Sequence, residues 1–209
     1  MTLGKFRLSL CVVIVASVLH ASAVAYTRPQ FPLPSAGPNL AGQFLVASRR
    51  MVEPSFAQSV IYVVTHNETG AMGLVINRVY GTTTLKELLA AFGTKTDDQR
   101  LIKLHYGGPV EVGRGFVLHS GDYVGASTQV MSNALSLSIG RDVMEAAAKG
   151  RGPKRILFLV GYCGWAPGQL ESELARSDWL TAPVDEKLIF SDDTQGVWEQ
   201  ALKHAGMPL

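Results

Sequence analysis

Cysteine is nearly absent from this chain: of 209 residues only Cys11 and Cys163 carry a thiol. Cys11 sits in the apolar run Leu8 to Leu19, which follows Lys5 and Arg7 and precedes the small-residue stretches Ala21-Ser-Ala23 and Ala23-Val-Ala25. This order reads as an export signal covering residues 1–25, removed after Ala25. Cys163 is then the only cysteine left, and a disulfide within one mature chain is excluded. The apolar run is shorter than the roughly twenty residues that cross a bilayer, so no stable membrane span is expected once the signal is gone. The expected location is periplasmic. An uncleaved anchor is one alternative; a start codon placed too early in the gene, which would leave the protein cytoplasmic, is another.

An excess of basic charge is missing as well. Lys and Arg number 19 against 17 Asp and Glu, and Lys5 and Arg7 leave with the signal, so the mature domain carries 17 of each. Proteins that bind DNA through its phosphates need a clustered basic surface. Here Arg49-Arg50, Arg151 and Lys154-Arg155 are short and scattered, with no helix-turn-helix or basic helix. Direct nucleic-acid binding is therefore disfavoured. None of the 5 histidines lies in an i, i+4 pair or beside a second ligand at a metal-binding spacing, so no metal and no cofactor is expected. Repeats and low-complexity tracts are also absent.

What is present is one domain's worth of patterned chain. Residues 26–38, with Pro29, Pro32, Pro34 and Pro38, predict an extended linker, and residues 39–209 a single domain. Strands are predicted at Gln43 to Ala47, Gln58 to Thr65 and Ala71 to Asn77, the last two joined by the turn His66-Asn-Glu-Thr-Gly70. Thr84-Leu-Lys-Glu87 is a capping box that opens a helix ending at Gly93. Further strands fit Leu101 to Tyr106, Gly115 to His119 and Ala126 to Val130, and helices fit Gly140 to Lys149 and Asp193 to Ala205. Strands with interspersed helices and a hairpin suit a mixed α+β domain.

The densest stretch begins with Arg155-Ile-Leu-Phe-Leu-Val160, an apolar run that reads as a strand buried on both faces. Gly161, Gly164, Pro167 and Gly168 then predict a tight irregular connection, after which Leu170 and Leu174 share one face of a helix. A helix start can hold an anion, but Glu171 and Glu173 already complement its dipole. This segment, Gly161-Tyr-Cys-Gly-Trp-Ala-Pro-Gly-Gln-Leu170, resembles the AlgH (YqgE-like) family of bacterial proteins. So do Phe44-Leu-Val-Ala47, Ser59-Val-Ile-Tyr62 with His66-Asn-Glu-Thr-Gly-Ala-Met-Gly-Leu-Val-Ile-Asn-Arg78, Tyr106-Gly-Gly-Pro-Val110 with Gly113-Arg-Gly-Phe-Val-Leu-His119, and Ser177-Asp-Trp-Leu180. The resemblance spans about Leu40 to Met207. It implies a single domain whose mixed β-sheet curls into a pseudo-barrel with flanking helices, and it implies no established biochemical activity.

Candidate functional residues fall into three groups. Cys163 follows a strand as an exposed nucleophile does, but Trp165 stands where such an elbow needs glycine, and the family pattern often has a small residue such as Ala at position 163. The competing reading is a small buried hydrophobe. His66, His105 and His119 can act as bases, or can be hydrogen-bonded histidines of the fold. Asn77, Arg78, Gly107, Gly108 and Arg114 lie at strand ends, where forked guanidinium bonds and backbone N–H groups can hold an acidic ligand; the competing reading is turn chemistry. Trp165, the residue expected to line a cleft, and Gln169, a candidate ligand-binding residue in the same glycine-rich segment, complete the set. The leading expectation is a non-enzymatic regulatory domain that binds a small molecule or a protein near Trp165. A hydrolase-like or thiol enzyme using Cys163 or His119 is the alternative, and a transcriptional regulator, as the family label suggests, is the third.

Overall fold

A computed structural model describes residues 39–207 with the exception of Phe92; the predicted signal and the Pro-rich linker lie outside the described residues. The chain runs β1 (Gln43–Ala47), β2 (Val60–Asn67), β3 (Gly70–Val75), β4 (Val79–Thr84), α1 (Leu85–Ala91), β5 (Leu101–Tyr106), β6 (Val110–Ser120), β7 (Thr128–Val130) and β8 (Leu135–Ser138). Then follow α2 (Arg141–Ala148), β9 (Ile156–Trp165), α3 (Gln169–Ala175), β10 (Trp179–Pro183), α4 (Glu186–Ile189) and α5 (Gly196–His204). The strands join in the order β10-β1-β2-β3-β9-β6-β8-β7, with β5 also on β9 and β4 on β5. Among the described residues only the β5–β9 pair is parallel. The sheet is thus mixed, and it curls into a half-barrel within an α+β domain.

Side-chain alternation explains the layering. Phe44 and Val46 of β1, Val60, Tyr62 and Val64 of β2, and Leu157 and Leu159 of β9 point to one face and enclose the main core with Val197, Ala201 and Leu202 of α5. The opposite residues of the same strands, Leu45, Ala47, Ile61 and Val63, pack outward with Trp165, Leu170 and Trp179. A third cluster lies beneath α1 and α2, where Leu85, Leu89, Val143 and Met144 cover Val117 and Phe158. Strands covered on both faces need a continuous apolar run, which is why Val60 to Val64 carry no charge.

The local devices are those the sequence announces. The amide of Glu87 donates to Thr84 Oγ1 at 3.1 Å and the amide of Thr84 to Glu87 Oε2 at 3.1 Å, closing the capping box. The bond from the Thr84 amide, followed by that from the Thr83 hydroxyl, holds the Glu87 carboxyl below its usual range. Asn67 Oδ1 accepts from the amide and hydroxyl of Thr69 in the β2–β3 turn. Four elements were not predicted: β4, β8, β10 and α4. The strands among them are edge pieces or short, and β4, Val-Tyr-Gly-Thr-Thr-Thr, is largely exposed and lacks a clear alternation. β6 is longer than the predicted Gly115 to His119 because its first residues, Val110 to Arg114, are exposed and mostly bulge off the ladder.

Candidate functional site

The predicted connection after Val160 is largely strand. β9 continues through Gly161 to Trp165, pairing Cys163, Gly164 and Trp165 with Gly73, Met72 and Ala71 of β3. The glycines serve a different purpose from turning the chain. Gly161 has φ +71° and interrupts the alternation, so that Leu157 and Leu159 face the inner core whereas Cys163 and Trp165 face outward. A Cβ on Gly161 would lie 2.2 Å from the Gly108 carbonyl oxygen, and one on Gly107 would lie 2.2 Å from that of Gly161. Gly107, Gly108 and Gly161 therefore form a backbone crossing at which β9 exchanges β5 for β3, sealed by the amide of Gly107 donating to Val160 O at 2.8 Å.

This outward turn of Trp165 creates a cleft. The chain bends at Ala166 to Gly168 and enters α3, whose Leu170 is buried beneath Trp165 and Trp179. One turn further on, Glu173 Oε2 accepts the indole N–H of Trp165 and that of Trp179, each at 2.8 Å. Its Oε1 accepts from Gln169 Nε2 at 2.9 Å. The two indole rings meet edge to face at 6.3 Å, and Phe56 meets Trp179 likewise at 5.7 Å. The space beside them measures about 440 Å³ and is also lined by Met51, Glu53, Pro109 and Cys163. Three carboxylates, those of Glu53, Glu173 and Asp178, border it against one guanidinium, Arg176, which is paired with Asp178 at 2.7 Å. The cleft is thus aromatic in its walls and negative in charge.

Several predicted residues frame this cleft without lining it. Arg78 donates from Nη1 to Pro54 O at 2.9 Å and from Nη2 to Ala57 O at 2.7 Å. Asn77 accepts from the amide of Val60 at 2.8 Å and donates to Gln58 O at 2.9 Å. Together they pin the segment between β1 and β2 that supplies Met51, Glu53 and Phe56. His66 is buried on β2 rather than solvated in a turn, and its partner is Glu171, not the neighbouring Glu68. Its Nδ1 accepts the amide of Leu40 at 3.1 Å, so Nε2 carries the proton and donates to Glu171 at 2.9 Å, tying the start of the domain to α3. Cys163 is 1 % exposed and its thiol donates to Gly107 O at 3.5 Å. Burial pushes that thiol up to about 12 against the opposing pull of the Arg78 charge, so it is neutral at pH 7.

The remaining predicted residues lie elsewhere. Arg114 sits on the exposed bulge of β6, paired with Glu111 at 3.1 Å and 5.3 Å over the Phe116 ring. His119 is fully buried further along β6, its ring meeting Tyr123 edge to face at 5.7 Å. Its Nδ1 donates to Ser120 O at 2.9 Å, which makes Nε2 the acceptor for the Ser138 hydroxyl at 3.0 Å. That is the bonding pattern of a nucleophile and its base, yet Ser138 is also fully buried, and burial keeps the imidazole pKa below its ordinary value. Sequence reasoning missed Glu173 as the organising group of the cleft. The spacing Trp165, Gln169, Glu173 places the last two on one helix face, and that was the available signal.

Comparisons agree with this architecture. The AlgH-like family model, DUF179, matches residues 44–209. The chain is 57 % identical over 177 residues to a UPF0301 protein of Methylococcus capsulatus, covering 85 % of this chain and 97 % of that protein. It is 42 % identical over 171 residues to a UPF0301 protein of Cereibacter sphaeroides, covering 81 % and 93 %. Among solved structures it is similar to the AlgH protein of Pseudomonas aeruginosa, with 40 % identity, a TM-score of 0.70 and coverage of 83 % and 93 %. The Corynebacterium diphtheriae protein DIP2367 shares the fold at a TM-score of 0.66 and 21 % identity, covering 84 % and 91 %. With the motifs from Phe44 to Leu180 in family order and the half-barrel fold in common, the chain belongs to the AlgH-like (UPF0301) family.

Proposed function

We propose that this protein is a binding domain rather than an enzyme, and that the Trp165–Trp179 cleft takes a ligand bearing a positive charge on an apolar body. The observation that carries this reading is the Glu173 carboxylate, which fixes two indole rings at once inside a cleft bordered by two further carboxylates. Aromatic faces attract cations and apolar groups alike, and a carboxylate held in place beforehand loses little freedom on binding. The ligand is a small molecule, or the side chain of a protein partner that presents the same chemistry. A catalytic role draws no support from Cys163, whose thiol is neutral and buried, or from His119, whose bonded hydroxyl is enclosed. The equal numbers of acidic and basic residues in the mature domain support regulation through a bound ligand over direct contact with DNA.

A thermal-shift screen tests this reading, since a ligand that binds the folded state alone raises its apparent stability. Alkyl- and arylalkylammonium compounds are expected to raise the melting temperature of the protein and to lose that effect in Glu173→Leu. Stabilisation by carboxylates or phosphates that is abolished by Trp165→Ala would assign the cleft the opposite charge preference. We also propose export to the periplasm, for which cell fractionation with sequencing of the mature N-terminus is the check; intact Met1 on a cytoplasmic protein would defeat it.

A further inference from the structure

The parallel pair β5–β9 is in register only from Leu104 to Tyr106 against Phe158 to Val160, although β5 begins at Leu101 and β9 at Ile156. Ahead of that register the two strands part, and a wedge of about 470 Å³ opens between them. Its lining draws on both faces of the sheet, with Ile102 and Phe158 from the cluster beneath α1 and α2 and Leu157 from the inner core. The volume is within the range of small-molecule sites, about 300 to 1,000 Å³. This wedge is separate from the Trp165 cleft: the two share no lining residue.

Two features give the wedge a chemical preference. Arg100, Lys103, Lys154 and Arg155 line it against a single carboxylate, Asp192. Each of these cations touches an acid: Arg100 meets Asp98 at 2.6 Å, Lys103 meets Asp192 at 3.1 Å, Lys154 meets Asp122 at 4.0 Å and Arg155 meets Glu186 at 2.9 Å. All four cations are well exposed, so the pairs contribute little and can be exchanged for a bound anion. The second feature is His105, which is 3 % exposed yet has no hydrogen-bond partner for Nδ1. Burial pushes its pKa down to about 4 against the opposing pull of the Ile76 backbone, so the ring is neutral at pH 7. With the proton on Nε2, Nδ1 presents an unused lone pair. Buried polar atoms without a partner are rare, and a ligand is one of the things that satisfies them.

We propose that the β5–β9 wedge is a binding site for an organic phosphate of mononucleotide size. Its phosphate lies among Arg100, Lys103, Lys154 and Arg155, and an N–H or O–H at its other end donates to His105 Nδ1. A phosphate monoester suits the four cations better than a single carboxylate does, since it carries nearly two charges and three acceptor oxygens.

Uridine monophosphate supplies a phosphate and a ring N–H and serves as the probe for the full-length protein at low salt, with uridine and inorganic pyrophosphate as controls. Saturable binding that shifts the His105 ring nitrogen resonances is expected, with uridine at least roughly tenfold weaker. Lys103→Gln with Arg155→Gln, both exposed, should weaken the nucleotide by roughly tenfold or more. His105→Gln should weaken the nucleotide and leave pyrophosphate unchanged. Binding without a His105 shift, unchanged affinity in the Lys103/Arg155 variant, or no binding of uridine monophosphate would each overturn the proposal.

Discussion

Replacing Glu173 with Leu removes the one acceptor that two indoles share. Trp165 and Trp179 are 7 % and 3 % exposed, and both N–H groups reach only the Glu173 carboxylate, at 2.8 Å. A buried donor left unpaired costs about 1–3 kcal/mol, so two cost about 2–6 kcal/mol. Both bonds are only partly buried, and water that reaches an indole offsets some of the loss, which places the expected destabilisation at about 2–4 kcal/mol. Glu173→Gln is the control, because its amide oxygen still accepts; it should cost less than about 1.5 kcal/mol. Urea unfolding followed by far-ultraviolet circular dichroism measures both without relying on the perturbed tryptophans, and an unchanged m value would confirm that the folded state alone is affected. A loss below about 0.5 kcal/mol in the Leu variant would show that the clamp does not order the rings. Equal losses in Gln and Leu would show that charge, not hydrogen bonding, holds them.

Three other outcomes follow from the same geometry. Gly161→Ala places a Cβ 2.2 Å from a backbone oxygen at φ +71°, and it should cost more than about 3 kcal/mol or prevent folding, as judged by soluble yield and melting temperature. Cys163 should react with a disulfide reagent only upon unfolding, since its thiol is 1 % exposed and raised to about 12; stoichiometric reaction of the native protein at pH 8 would contradict the burial. Burial holds His105 at about 4 against 6.5 when unfolded, so its contribution is complete above about pH 6.5 and is lost as the pH falls through about 4. That window is worth about 3 kcal/mol, and His105→Gln should flatten the stability curve across it by that amount; an unaltered slope would refute the assignment.

Much of the fold was legible because local signals and burial agree. Val60 to Val64, the capping box Thr84/Glu87 and the glycines after α1, α2 and α5 announced their elements within a few residues. The segment Gly161 to Trp165 was misread because glycine in sequence signals either a turn or a close approach, and only the partner strand decides. The partner is Gly107-Gly108, more than fifty residues earlier in the chain. The site was half legible for a similar reason. Trp165 and Gln169 line the cleft, but Asn77, Arg78 and His66 act behind its walls, through bonds to carbonyls, an amide and Glu171 that no local pattern encodes. Arg114 and His119 lie on β6 and are absent from the cleft lining, one paired with Glu111 and the other bonded to Ser138.

The most direct test of the cleft as a cation-binding site is to follow the indole ¹H–¹⁵N resonances of Trp165 and Trp179 while titrating the ¹⁵N-labelled protein with phenethylammonium and, separately, with phenylacetate. Saturable shifts of both indoles with the ammonium compound, little response to the carboxylate, and an unmoved Trp198, whose indole donates to Ala47 O at 2.7 Å on the core side, are expected. Shifts with the carboxylate alone, or equal movement of all three indoles, would contradict a negatively charged aromatic site between Trp165 and Trp179.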